Sequence, residues 1–284
     1  MAELSWTNSG GDGDWANIAN WSTGAIPVNA DKVYFSPSAT AGPTLNVDRT
    51  TEVLVLARME TLPDCTYNIA SSASPLICTV SDAGGSTDVG PVIHRGSGTF
   101  YWNSLGGSGQ VLVDSPNAQN AMVIGGAVSM DTMIINNGRV TLNMTGTIDN
   151  LFLVPRGIAT TLSLLCSSGS LKVTSTIIEG GFLDTNSRHR NTMMRGGRVI
   201  CRNDLGGQGF GLAYVTMYSG VWDHRQDGAL DFGNTLSFYA IGGTLDTKKI
   251  PLVHVNRLYR TESATILRGA GLVIDNEYIL NEEL

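Results

Sequence analysis

Charge is scarce in this sequence. Asp, Glu, Lys and Arg make up 15% of it, against about 25% in an average soluble domain. The 18 Lys and Arg residues form no stripe that would track a phosphate backbone, and the net charge is −7, so nucleic acid is not expected as a partner. Long apolar runs are missing as well, with no window of about 18 residues that would cross a membrane as a helix. The opening "MAELSWTNSGGDGDW" has neither the basic region nor the apolar core of a secretory signal, which leads us to expect neither export nor a membrane location. Cysteine is sparse: Cys65, Cys78, Cys166 and Cys201 stand far apart, without CxxC pairs or histidines at zinc spacing. No metal and no cofactor is expected from them. Free buried thiols are the expected state, because Cys packs as a small hydrophobe, with a Cys65–Cys78 disulfide left open. Helical periodicity is also lacking, which removes the crossover helices of a conventional parallel sheet.

Glycine is what the sequence has in quantity, 34 residues of it. A short phrase recurs around ten of them: "SGTFYW", "SGQVLV", "GGAVSM", "NGRVTL", "SGSLKV", "GGFLDT", "GGRVIC", "SGVWDH", "GGTLDT" and "AGLVID". The residue before each glycine is small. The residue two places after it is apolar: Phe100, Val111, Val128, Val140, Leu171, Leu183, Val199, Trp222, Leu245 and Val273. Glycine behind a small residue supplies a corner with φ > 0, and the apolar residue then points into a core with strand alternation. From Gly197 to Gly220 and from Gly220 to Gly243 the step is 23 residues each time. That length suits a turn of three short strands and three corners, with each rung stacked on the one before. The expected fold is all-β, a right-handed parallel β-helix with an N-terminal Trp-rich cap; a β-sandwich or jelly roll is the alternative, since its turns also recur at short intervals.

A solenoid exposes unpaired strand edges at its first and last rungs, and something must cover them. Trp6, Trp15 and Trp21 offer a rigid apolar lid, and Asp14, Asn17 and Asn20 offer turns to fold it over. The expected division is residues 1–43 as cap and attachment segment, 44–273 as β-helix and 274–284 as a tail. Within the cap, Gly13, Trp15, Asn20, Trp21, Pro27, Asp31, Val33 and Phe35 spell G-x-W-x(4)-N-W-x(5)-P-x(3)-D-x-V-x-F. This resembles the segment that begins many β-helical repeat proteins, among them autotransporter-like surface proteins and tailed-phage virion proteins. Without an export signal before the motif, the resemblance implies a non-enzymatic phage structural protein, made in host cytoplasm and placed on the capsid exterior. It would be a decoration, cement or head-fibre protein, homotrimeric, with the major capsid protein as partner. Partner contacts are expected at Trp6, Trp15 and Trp21 and at Tyr278, Ile279 and Leu280. The alternatives are a tailspike-like protein that binds or cleaves a host-surface glycan, and a fragment of a bacterial surface adhesin.

Catalytic candidates concentrate in "VWDHRQDGALD", with Asp223, His224, Arg225, Asp227 and Asp231. Asp223 and Asp246 hold the same place in successive repeats. Stacked rungs lie about 4.8 Å apart, within range of the roughly 5 to 10 Å between the paired carboxylates of glycosidases. The competing expectation is a solvated charge ladder, because "LDTN", "WDHR" and "LDTK" place Asn186, Arg225 or Lys248 two residues after the carboxylate, where diagonal neutralisation by the next rung is available. "GGDGD" reads as a turn, since a calcium loop needs about six oxygen ligands. "GGQGFG", Gly206 to Gly211, lacks the strand and helix of a dinucleotide site. His94, His189, His224 and His254 are isolated, and the basic stretch "SRHRNTMMRGGR" reads as a solvated face.

Overall fold

The structure, a computed structural model, describes residues 2–43, 54–80, 92–104, 108–156, 162–202, 213–225, 236–248 and 253–281; at Ser108, Val128, Leu236, Val253 and His254 only the backbone is described. It is all-β, a parallel β-solenoid of about nine turns, consistent with a right-handed parallel β-helix. The chain forms two compact units, Met1–Thr147 and Ile148–Leu284.

In the first unit, one face is built from β1 (Glu3–Trp6), β2 (Lys32–Phe35), β4 (Arg58–Thr61), β7 (Val92–His94) and β9 (Ser108–Asp114). Each pairs in parallel with the one before it. A second face holds β5 (Leu76–Ile77), β8 (Phe100–Ser104) and β11 (Arg139–Leu142), and β3 (Val55–Leu56) and β6 (Thr79–Val80) make a short third one. The long β10 (Met122–Asn137) serves two faces: Met122 to Gly126 pair with β8, and Met130 to Asn137 pair with β9. Gly126, at φ +90°, falls where it passes from one to the other, a conformation that favours glycine.

β12 (Thr145–Leu153) carries the chain into the second unit, where each turn shows two strands among the described residues. On one face β14 (Leu171–Ile178), β16 (Arg188–Met194), β18 (Ala213–Met217), β20 (Leu236–Ala240), β22 (Val253–Arg260) and β24 (Leu272–Ile279) pair in succession. On the other, β13 (Ser163–Cys166), β15 (Phe182–Thr185), β17 (Arg198–Cys201), β19 (Val221–His224), β21 (Thr244–Asp246) and β23 (Thr265–Leu267) do the same. In the turn from Phe182 to Arg198, described throughout, two strands stand where three were expected. Sixteen residues suffice from Phe182 to its partner Arg198. The steps of 23 contain segments 203–212 and 226–235, which lie outside the described residues.

The repeated phrase works as a corner followed by a strand. Leu164, Leu183, Val199, Trp222 and Leu245 stack in register, all buried. Burying one such side chain is worth about 1.5 to 3 kcal/mol, and a column also excludes water from its neighbours. The corners stack too: Val221 N–H donates to the Gly197 carbonyl at 3.0 Å and Thr244 N–H to that of Gly220 at 2.9 Å. At Gly220, φ is +92° and a Cβ would lie 2.5 Å from the Gly197 oxygen, so no other residue fits without a shift.

Of the ten phrase residues, Phe100, Val111, Val140, Leu171, Leu183, Val199, Trp222 and Leu245 are buried; the Val128 side chain lies outside the described residues. Val273 is the exception, 44% exposed. The turn there runs from Gly269 to Leu272, whose N–H donates to the Gly269 oxygen, and Ile274 lies in register over buried Val255. Leu272 and Ile274 therefore take the inward positions, and Val273 between them points out. The strand ladder is also longer than the 44–273 span expected for it, because β1 and β2 lie inside the presumed cap and β24 runs to Ile279.

Candidate functional site

Asp223 and Asp246 are indeed register partners on β19 and β21. Asp223, however, is only 1% exposed and both its oxygens are engaged. Arg225 forks onto it, Nε to Oδ1 at 2.9 Å and Nη2 to Oδ2 at 2.5 Å, and Arg198 Nη2 reaches Oδ2 at 2.9 Å. A second forked pair lies two turns earlier, where Arg202 of the intervening turn grips Asp184 through two bonds of 2.6 and 3.0 Å. Arg198 and Arg202 meet their carboxylates diagonally between adjacent rungs, because a stagger of two residues brings a long guanidinium across the spacing between strands. Diagonal neutralisation is thus present, while the solvated character expected for Asp223 is not. Asp246 accepts a bond from the Lys248 backbone N–H at 3.0 Å. Asp227, Asp231 and Gly206 to Gly211 lie outside the described residues.

A glycosidase acid must be free to hold and release a proton, and its partner must reach a sugar or a water. A carboxylate gripped by two guanidiniums is a fixed acceptor instead. The stretch read as a solvated basic face supplies part of this grip: Arg198 binds Asp223, and Arg195 binds Glu179 at 2.8 Å.

The buried ionisable groups are equally committed to packing. His189 lies inside the coil between the Thr176 and Thr185 hydroxyls, at 2.8 and 2.9 Å from its two ring nitrogens. His94 meets the Thr61 hydroxyl at 2.7 Å, and His224 lies 3.4 Å from the Trp222 indole N–H. Burial pushes all three imidazoles down to about 4, so they are neutral near pH 7. The side chain of His254 is outside the described residues. The four cysteines are free and buried, which settles the disulfide alternative, and burial pushes the Cys78 and Cys166 thiols up to about 12.

Six of the eight motif residues have a defined structural role in the N-terminal cap or the strand β2 that follows it. Trp21 stands edge-on to Trp6 and Trp15, with ring centroids 5.1 and 4.6 Å apart. Trp6 donates to the Ala41 carbonyl and Trp21 to that of Trp15. Asn20 is buried, accepting from Gly10 N–H and donating to Asp12 and to the Asp14 carbonyl. Asp31 accepts from the Ala2 and Val28 N–H groups, and Val33 and Phe35 are buried. Asp12 accepts from Asp14 N–H, Asn17 and Asn20, which hold its carboxyl below the usual range, so "GGDGD" forms a bonded turn. The three tryptophans expected to touch a partner are buried within the chain. In this segment the exposed large hydrophobes are Ile18, at 58%, and Val28, at 53%.

At the other terminus Tyr278 and Ile279 are exposed, at 45% and 59%, and Leu280 donates its N–H to the Arg260 carbonyl. Tyr278 ends an outward row of stacked rings with Tyr259 and Tyr239, at centroid spacings of 4.8 and 4.5 Å. Glu277 sits in register above buried Leu258, an inward column, and binds Arg260 at 2.7 Å and Arg268 at 2.7 Å. Those bonds hold its carboxyl below the ordinary value, Arg260 contributing most. Sequence reasoning missed this ion triad, and only the inward parity of Arg260 and Glu277 in the last two turns could have revealed it.

Comparison with known proteins finds no matching family model, no matching curated protein and no matching solved structure.

Proposed function

We propose that this chain is a non-enzymatic structural protein of a tailed-phage virion, decorating the capsid exterior through the major capsid protein. The observation that carries the reading is the immobilised Asp223: the best catalytic candidate of the sequence is an internal strut, bound by Arg225 and Arg198. A rigid ladder with its reactive groups committed to packing suits a scaffold that binds, and the resemblance of the opening segment supplies the virion context. Because the tryptophans are consumed by the cap, Ile18 and Val28 are the apolar surface this segment offers to the capsid. Co-sedimentation with undecorated capsids tests the assignment. Wild-type protein should pellet with them, and Ile18→Asp combined with Val28→Asp should not, with an unchanged circular dichroism spectrum. Full binding by that variant would move attachment away from the N-terminal segment.

A second reading, binding of a host-surface glycan, is favoured by the outward row Tyr239, Tyr259 and Tyr278 beside Arg257 and Asn276, since aromatic rings next to polar side chains suit sugar faces. Retention on immobilised host polysaccharide would support it. Release of reducing ends would make the protein a glycosidase and overturn the structural reading.

A further inference from the structure

The two terminal strands differ in how their outer edges are treated. β1 pairs with β2 on one side and is covered on the other by its own loop, through Ser22 N–H to the Ser5 carbonyl at 2.9 Å and Thr7 N–H to the Asn20 carbonyl at 2.8 Å. β24 pairs with β22, and among the described residues no strand covers its other edge. Its sequence, "LVIDNEYI", contains none of the Pro or Lys residues that usually blunt an exposed edge. Its exposed residues include Val273, Tyr278 and Ile279.

β24 follows β22 at one constant offset, Val255 to Ile274 and Arg257 to Asn276, and in β22 the buried Val255 and Leu258 stand three residues apart. The inward side therefore changes parity between them: Ile274 lies over Val255 and Glu277 over Leu258, with Leu272 and Ile279 two residues further out on either side. This pattern reads the same in both directions from a centre between Asp275 and Asn276. A strand with that property can pair with an inverted copy of itself while keeping every inward residue inward.

We propose that the outer edge of β24 joins two copies of this chain, antiparallel, about a two-fold axis between Asp275 and Asn276. In that register Val273 faces Tyr278 of the second copy and Leu272 faces its Ile279, so each exposed hydrophobe gains an apolar neighbour. Asp275 faces Asn276, so no like charges are opposed, and Glu277, which faces Ile274, keeps its own arginines, Arg260 and Arg268. The covered edge of β1 offers no strand to receive β24, which disfavours head-to-tail filaments. The interface closes at two copies, and replaces the trimer implied by resemblance. It does not depend on the capsid reading.

Light scattering on the full chain should give twice 30.1 kDa at micromolar concentration. Val273→Asp combined with Tyr278→Asp sets two pairs of like charges face to face and should raise the dimer dissociation constant about a hundredfold or more, with an unchanged circular dichroism spectrum. As a second measurement, Val273→Cys combined with Tyr278→Cys should oxidise to a covalent dimer, and Val273→Cys alone should not, because the four native thiols are buried. A wild-type monomer at a hundred micromolar, a trimer mass, or a dimer that the cysteine pair fails to cross-link would overturn the proposal.

Discussion

The N-terminal end of the first unit and the C-terminal end of the second solve the same problem with opposite chemistry. The first closes its coil with Trp6, Trp15 and Trp21, all buried, and Trp6 and Trp21 are fixed by indole hydrogen bonds. The second turns its inward column polar, placing Arg260 and Glu277 where earlier rungs carry Ala240 and Phe238, and ties them together with Arg268. An aromatic lid removes apolar area from water and is insensitive to salt. An ionic lid leaves the end wet, which is tolerable for a surface awaiting a partner but contributes little stability of its own. The difference separates an end that is finished from one that is available.

Acid should widen the contrast most. Three buried histidines have pKa values pushed from about 6.5 down to about 4, His94 in the first unit and His189 and His224 in the second. The unfolded chain then binds more protons than the folded one below pH 6.5, so stability is complete above that value and falls as pH drops toward 4. Each histidine should account for about 3 kcal/mol, and the second unit should lose roughly twice what the first loses. Hydrogen exchange followed by mass spectrometry at pH 7 and pH 4.5 resolves the two; equal losses would break the comparison.

Trp6→Ala is next in size, costing about 3 to 5 kcal/mol through the cavity it opens under Trp15 and Trp21. Urea denaturation should register it, and a loss under 1 kcal/mol would mean that the lid is not what seals that end. Leu183→Ala and Leu245→Ala, in the middle of a stacked column, should cost about 2 to 5 kcal/mol each, against little for Val273→Ala at its exposed position. The smallest effect belongs to Glu277→Gln, at most about 1 kcal/mol, because Arg268 is half exposed and solvent screens the pair. What Glu277 contributes as a carboxylate is present above its unfolded value near 4.5 and is lost as pH falls through its lower folded value. The Gln variant should also abolish the salt dependence of hydrogen exchange in β22 and β24, whereas Trp6→Ala should leave it unchanged.

Local pattern carried a good deal of this. Corner glycines followed by an inward residue at Leu183, Val199, Trp222 and Leu245 are legible because strand alternation is set within three residues of a turn. The tryptophan lid was legible in the same way, from aromatics among turn-forming residues. The use of those tryptophans was not, since a buried ring and a contact ring have the same composition, and only their mutual distances decide. Asp223 was legible as half of a register pair, but Arg198, which helps immobilise it, lies 25 residues away in sequence.

By itself, the sequence determined the class of structure: few charges, no helical period and recurrent glycine corners leave stacked strands as the way to bury these side chains. Only the tertiary structure decided which residues remain available. At the last turn the inward side begins at Leu272 and not one residue later, which turns Val273 outward, and the change of parity along β24 places Glu277 over Leu258 beside Arg260 and Arg268. The reason is geometric: alternation fixes neighbours relative to one another, while a one-residue shift at a corner, which reverses every side chain after it, is fixed by contacts with the rung below.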